Sequence, residues 1–422
     1  MSVWLVLSYR ANIDGSACSQ HVDDRLPELM AQGISPILLS GPLGPRRQDL
    51  PHYCTISPAP SGLRFELRHA LKRRFGRDWR YRLWSLLLLP ILPFYGLEKL
   101  LLPLESEWSW CLTAAWRGLT LCRRQRPALI YSTGGSIGAH LAAWYIARRT
   151  GIRWIAETQD PLVHDREWRK GRRALWLYSR VEAMIFRHAR HFVFLTRAAR
   201  DNAERRAGAP GRGAVILPGA RPDLVQGDGG SHVRGELCRL AHFGTLSGTR
   251  NLLGLLRGLA CLLAQQPAWR ELLRLELYGS CDDASVRLVQ ELGLLSLLRF
   301  QGMLPRRQAL DAMRGVDCLL LVQDTVFFSS ETIPSKVYEY LLTGRPILAL
   351  VHDNEELTAM LRDRGHWWAP VDDPVAIAHC LGQMLAQWHQ GGRGTRLPSP
   401  PPPTVARAVA QLIALAGTDT GA

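Results

Sequence analysis

The chain has no C-x-x-C pair, no Asp-x-Asp triplet and no unbroken apolar run long enough to cross a membrane as one helix. Each absence excludes a class. Nine cysteines (Cys18, Cys54, Cys111, Cys122, Cys238, Cys261, Cys281, Cys318 and Cys380) are scattered and odd in number. They read as buried thiols of a reducing compartment, not as a disulfide framework or a zinc site. With no Asp-x-Asp and no His/Asp cluster at ligand spacing, neither a metal nor a cofactor is expected. The opening Val3-Trp4-Leu5-Val6-Leu7-Ser8 is too short for a signal peptide and lacks its basic start, so it reads as the first strand of a cytoplasmic protein. No repeat at solenoid spacing is present.

What is present has ordinary globular proportions, with 47% hydrophobic and 21% charged residues. A length of 422 residues suggests two domains of about 200 residues each. The net charge of +15 calls for anionic partners. Its placement narrows them. Arg64, Arg68, Lys72, Arg73, Arg74, Arg77, Arg80 and Arg82 stand against only Glu66 and Asp78, and the run leads into Leu83-Trp84-Ser85-Leu86-Leu87-Leu88-Leu89-Pro90-Ile91-Leu92-Pro93-Phe94-Tyr95. A basic helix followed by an apolar, aromatic-flanked segment reads as attachment to an anionic membrane surface. The apolar run, broken by Pro90 and Pro93, falls short of the roughly 20 residues a spanning helix needs, so it is expected to lie in the interface. Nucleic acid is disfavoured, because the basic run meets aliphatic residues where interleaved aromatics would be needed.

Apolar runs at Val3 to Ser8, Pro36 to Ser40, Ala128 to Thr133, Arg153 to Glu157, His191 to Thr196 and Ala214 to Leu217 are strand-like, and several are continuous, which implies parallel strands covered on both faces. A second series follows at Arg239 to Phe243, Leu275 to Tyr278, Leu298 to Phe300, Cys318 to Val322 and Pro346 to Leu350. Helical patterns fall between them at Leu252 to Leu263, Ala284 to Leu292, Arg306 to Met313 and Pro334 to Leu342, with Pro374 to Trp388 after the last strand. The Gly-rich stretch Gly227 to Ser231 marks a boundary. The expected architecture is α/β, with two doubly wound Rossmann-like domains, 1–230 and 231–396, facing a central cleft. Residues 397–422 form a Pro-rich spacer and a last helix that returns to the first domain.

Glu331-Thr332-Ile333-Pro334-Ser335-Lys336-Val337-Tyr338-Glu339 runs to Gly344-Arg345-Pro346. Pro334 at the first helical position and Gly344 at the stop outline a short helix. Its amino end suits a phosphate, Lys336 adds charge, and Glu339 can accept hydrogen bonds from sugar hydroxyls, a combination that suggests a nucleotide sugar. A surface helix with a solvated Glu fits the same letters. In the first half, Tyr131-Ser132-Thr133-Gly134-Gly135-Ser136 ends a strand and opens a helix, and Asp160-Pro161 follows the next strand. The two glycines also fit a plain tight turn.

Together these segments resemble glycosyltransferase family 4, of the two-Rossmann-domain GT-B arrangement and the bacterial cell-surface polysaccharide type. Phe243-Gly244-Thr245-Leu246-Ser247-Gly248-Thr249-Arg250-Asn251 is similar to the family's Gly loop, and Glu331 through Pro346 to its E-x7-E segment and Gly-x-Pro turn. The resemblance implies a metal-independent, retaining transferase. Glu331 would approach the donor sugar, Glu339 would hold the ribose, and Arg250 and Lys336 would bind the diphosphate. Gly244, Thr245, Pro334 and Ser335 would complete the donor site. Thr245 stands where many members carry Arg. Ser132, Thr133, Gly134 and Asp160 would lie on the acceptor side, with a lipid-linked or saccharide acceptor at the cytoplasmic membrane face. His140 is expected to be packed or solvent-facing, and Glu105, Glu107, Trp108 and Trp110 to open an ordinary amphipathic helix. The rival readings are a nucleotide-sugar epimerase of the same architecture and a catalytically silent nucleotide-sugar-binding scaffold.

Overall fold

The computed structural model describes residues 2–76, 78–164, 171–225, 235–391 and 400–417. Arg77, the Gly227 to Ser231 stretch, Pro398 and Ser399 lie outside them. The chain divides into two compact units, Met1–Leu217 with Val405–Ala422, and Pro218–Thr404.

The first unit runs β1 (Ser2–Leu7), α1 (Ala17–Ala31), β2 (Ile34–Ser40), β3 (His52–Cys54), α2 (Pro60–Phe75), α3 (Trp79–Leu86), α4 (Leu92–Leu101), α5 (Trp110–Gln125), β4 (Leu129–Gly134), α6 (Ile137–Thr150), β5 (Trp154–Thr158), α7 (Arg172–His188), β6 (His191–Phe194), α8 (Arg197–Ala207) and β7 (Gly213–Val215). Its sheet has the order β3-β2-β1-β4-β5-β6-β7, with neighbours pairing in parallel. The continuous apolar runs are explained by burial on both faces. Leu5, Leu7, Leu39 and Ile130 pack into one core with residues of α5 and α6. Their neighbours Trp4, Val6, Leu38 and Leu129 pack into the opposite one with Val22, Leu26 and Leu29 of α1.

The second unit runs α9 (Pro222–Val225), β8 (Cys238–Phe243), α10 (Leu253–Gln265), α11 (Trp269–Leu272), β9 (Leu273–Tyr278), α12 (Asp283–Glu291), β10 (Leu298–Phe300), α13 (Arg306–Arg314), β11 (Cys318–Val322), α14 (Lys336–Thr343), β12 (Ile347–Val351), α15 (Glu355–Arg362), β13 (Trp367–Pro370) and α16 (Pro374–His389). The order is β10-β9-β8-β11-β12-β13, again parallel. Asp373 caps α16 by accepting from the amides of Val375 and Ala376 at 3.0 Å each. The chain then returns to the first unit as α17 (Val405–Gly417), whose Val405, Ala408, Val409 and Leu412 complete the α1-side core.

Two boundaries differ from the sequence reading. The chain passes into the second unit at Leu217 and Pro218, ahead of the Gly-rich stretch, because α9 packs against α13 and α14. Ala220 pairs in parallel with Thr404, so entry to and exit from that unit are adjacent. Helix α14 begins at Lys336, with Pro334 two residues ahead of it. Its opening turn is tight: Val337 N–H donates to Pro334 O at 3.0 Å and Tyr338 N–H to Ser335 O at 3.2 Å, three residues back.

Candidate functional site

In each sheet the strand order reverses direction at a switch point, β1 beside β4 and β8 beside β11, and ligands of such sheets sit at the carboxyl ends of those strands. The second unit places the Gly loop there. Gly244 follows β8 with φ of +131°, and a side chain on it would put its Cβ 3.0 Å from the Lys336 ammonium. Gly279, after β9, approaches so closely that a Cβ would lie 2.0 Å from Gly244 O. Both positions need glycine for the backbone and the lysine to meet.

The loop beyond folds on itself, Ser247 and Arg250 exchanging backbone hydrogen bonds of 2.7 and 3.1 Å. Arg250 donates from Nη2 to Asp324 at the end of β11, and Thr249 Oγ1 bonds the other carboxylate oxygen at 3.1 Å. Arg250 therefore ties the Gly loop to β11 while reaching the site. Thr245 is exposed and adds no charge. Lys336 supplies it: burial, helped by Arg250 and Arg306 and opposed by Glu339, holds its ammonium below the ordinary lysine range. The local field is positive. His242 on β8 is pushed down to about 4, chiefly by burial, with Lys336 and Arg250 acting the same way.

Glu339 lies one turn into α14 and accepts from Arg306 through Nη2 at 3.0 Å and Nε at 3.3 Å, both on Oε1. The pair fixes the carboxylate through Oε1. Glu331 sits in a short turn, Ser329–Glu331, and is 6% exposed. Gln323 and Asn354 hold that turn, both donating to Ser329 O (2.7 Å each) and to Thr332 O (3.1 and 2.9 Å). Gly244, Arg250, Lys336 and Glu339 thus come together, with Asp324 and Arg306 as partners that sequence reading missed. Those two lie 74 and 33 residues from the groups they hold.

In the first unit the expected acceptor-side residues divide. Ser132 and Thr133 are fully buried. The Ser132 hydroxyl is engaged by His140 Nδ1 at 2.9 Å and the Trp154 indole at 2.8 Å, and Thr133 donates to Glu157 at 2.9 Å. Neither hydroxyl is open to an acceptor, because both belong to the layer between sheet and helices. Gly134 and Asp160 stay at the rim, the Asp160 carboxylate 3.8 Å from where a Gly135 Cβ would stand. His140 is buried and pushed down to about 4 by that burial.

Below the rim lies a charged cluster. Glu157 on β5 accepts from Arg25, from His21 Nε2 at 2.6 Å and from Thr133. Arg25 also donates to the Tyr131 hydroxyl at 2.6 Å. The sequence carried a signal for it: one carboxylate inside an otherwise apolar strand, and His21 with Arg25 four apart on a core-facing helix. Glu105 caps α6, accepting from Ser136 Oγ and the Ile137 amide at 2.8 and 2.6 Å, while Glu107 pairs with Arg10 at 3.1 Å. These acids hold rim loops in place, and Trp110 is fully buried.

Helices α3 and α4 invert the usual arrangement. The polar contacts of α4 face inward, Glu98 accepting from Ser61 and from Trp108 Nε1, and Arg173 caps its last carbonyls, Leu100 O at 2.8 Å and Leu101 O at 2.7 Å. The apolar side chains face out. Trp79, Leu87, Phe94 and Leu100 are 68%, 66%, 64% and 69% exposed. No single described helix is long and apolar enough to cross a membrane, though the pair Trp79–Leu86 and Leu89–Leu101, bent by 45°, is so taken together.

Two parallel sheets clad in helices, each with its switch point, define the GT-B glycosyltransferase architecture. Residues 28–219 match the family described as the glycosyl transferase 4-like domain, so the first unit carries a glycosyltransferase-family domain. The fold resembles that of Anabaena Alr3699/HepE in complex with UDP, with TM-score 0.63 and 12% identity over 98% of this chain and 94% of that one. It also resembles sucrose-phosphate synthase from Thermosynechococcus elongatus, with TM-score 0.62 and 14% identity over 99% and 96%. A third similar structure is the UDP-forming alpha,alpha-trehalose-phosphate synthase from Burkholderia vietnamiensis, at 0.61 and 13% over 99% and 96%. No curated protein sequence matches the chain.

Proposed function

We propose that the protein is a metal-independent, retaining glycosyltransferase of hexosyl type. It moves a sugar from a nucleoside diphosphate donor held by the second unit to a lipid-linked acceptor held by the first, in cell-surface polysaccharide synthesis. The observation that carries the donor side is the approach of the Lys336 ammonium to Gly244, with Glu339 one turn along the same helix. Backbone, cation and carboxylate match phosphate, its charge and a ribose. A departing nucleoside diphosphate gains negative charge in the transition state, and preorganised cations lower that barrier. Similar structures in complex with UDP and with UDP-glucose add weight. The test is thermal unfolding with a panel of nucleoside diphosphate sugars. A correct donor at a hundred times its Kd stabilises by about 2.7 kcal/mol. If no member of the panel protects the protein, the reading is wrong.

The membrane side of the proposal rests on the inverted polarity of α4. Arg64, Arg68, Lys72, Arg73 and Arg74 on the neighbouring α2 supply charge for anionic headgroups. The protein would then sit peripherally at the inner face. In membrane fractions it is expected to resist plain buffer, release partly in high salt and fully in detergent. Trp84→Asn with Phe94→Asn and Leu97→Asn should cut vesicle binding at least tenfold, since burying each such side chain contributes about 1.5–3 kcal/mol. Complete release by buffer alone would refute it.

One observation favours the silent scaffold as a second reading: the exposed Thr245 leaves a cation missing, and Arg250 is already engaged by Asp324. Tight nucleotide binding with no turnover on any acceptor would select it.

A further inference from the structure

On one side of the second sheet, Cys238 and Leu240 of β8 pack into the core formed with Leu255, Leu256 and Leu259 of α10. His242, two residues further along the strand, faces the same side. Leu246 and Leu252 of the Gly loop join that core as well. The imidazole therefore lies beneath the loop, 4% exposed.

Its two nitrogens hold opposite roles. Nδ1 stands 3.1 Å from Leu320 O on β11, the residue paired with His242 in register. A carbonyl only accepts, so Nδ1 carries the proton and Nε2 keeps its lone pair. The ring stays neutral, since burial above all, with Lys336 and Arg250 acting the same way, pushes it down to about 4. Nε2 is buried with no hydrogen-bond partner among the described residues, and so is Arg250 Nε. A buried histidine at a strand end is ordinarily a satisfied core residue, and folded proteins leave few such atoms unpaired. Here an acceptor and a donor are left over together, close to the Lys336 ammonium that stands against Gly244.

A phosphate oxygen does not satisfy this set. It accepts from Arg250 and Lys336 but has no proton to offer the His242 lone pair. Water does both, and buried waters make about three hydrogen bonds to groups otherwise unsatisfied. We propose that His242 is a positioning residue of the donor site, holding an ordered water that accepts from Arg250 Nε and Lys336 and turns its second O–H to the diphosphate. Through that water one neutral ring orients both cations toward the leaving group. This role rests on the reading of the second unit as the donor-binding unit.

The probe is inorganic pyrophosphate, which lacks base, ribose and sugar, read as its half-saturating concentration for thermal stabilisation of the full chain. Three substitutions separate the two nitrogens. His242→Gln places an acceptor where Nε2 stood and is expected to stay within about threefold of wild type. His242→Asn keeps only the bond to Leu320 O and His242→Leu keeps neither, so both are expected to raise the concentration about tenfold. Midpoints without pyrophosphate show which variants are folded, and the Gln and Asn pair decides if the Leu variant is not. A packing role reverses the order, Asn holding and Gln failing, and that result overturns the proposal. Wild-type affinity in all three also overturns it, and would follow if a donor hydroxyl, which pyrophosphate lacks, occupied Nε2. Lys336→Ala is expected to weaken pyrophosphate by about tenfold or more. Unchanged affinity there, or no pyrophosphate effect in wild type, would remove the anion from these cations and overturn the water. Where a nucleoside diphosphate sugar still protects the protein, any of these failures strikes His242 and leaves the donor site standing; no protection by any such sugar strikes the donor site itself.

Discussion

Arg25→Ala is expected to lower the unfolding midpoint of the first unit by roughly 10 °C. Removing one partner of a buried ion pair costs about 3–5 kcal/mol, and a domain of this size loses about 2–4 °C per kcal/mol. Arg25 and Glu157 are both essentially without exposure, so nothing screens the carboxylate left behind. Arg25→Met with Glu157→Gln should recover most of the loss, because the uncompensated charge goes while Thr133 and His21 keep a polar partner. A midpoint in Arg25→Ala within a degree or two of wild type would show that the cluster is not what holds α1 to β5.

The same cluster sets an acid limit. Burial alone would raise the Glu157 carboxyl, but Arg25 and then His21 override it and hold it well below the usual carboxylate range. Its stabilisation is present above the unfolded value, about 4.3, and is lost as pH falls, since the unfolded chain takes up a proton the native state refuses. His21, held below its ordinary range by burial and Arg25, adds loss in the same direction below about pH 6.5, where the unfolded imidazole charges. Urea midpoints of wild type should therefore fall from pH 7 to 4. In Arg25→Ala the decline should flatten, because Glu157 no longer refuses the proton.

The sheet strands were legible because parallel strands buried on both faces write themselves as continuous apolar runs, as Cys318 to Val322 does. β3 and β13 escaped. His52–Cys54 is three residues at an edge, and Trp367–Pro370 is a four-residue, partly exposed edge strand ending in proline. The Gly loop and the Glu331 to Glu339 segment were legible as local patterns. What holds them was not, since Asp324 and Arg306 act across folds of the chain that leave no spacing behind. Ser132 and Thr133 misled for a related reason: small hydroxyls at a strand end look alike whether they face a ligand or a buried His140 and Glu157.

Lys336→Ala should lower donor turnover by about 10²–10³, the cost of removing one preorganised group that stabilises developing charge. The loss should appear in kcat, because the charge on the leaving diphosphate grows only as the bond breaks. Glu339→Ala should act differently. A ribose contact is the same in ground and transition states, so donor KM rises while kcat changes little. Arg306→Ala should give a milder copy of that phenotype and relax discrimination against a 2′-deoxyribose donor, since Glu339 then loses the two bonds that orient it. Arg250→Ala combines two effects, a lost cation and a Gly loop no longer tied to β11. Asp324→Asn separates them by loosening the tie while sparing the charge. Glu331→Ala belongs with Lys336 if its carboxylate faces the sugar, and steady-state kinetics of the six variants would rank them. Wild-type kcat in both Lys336→Ala and Glu331→Ala would dissolve the site, whatever the fold.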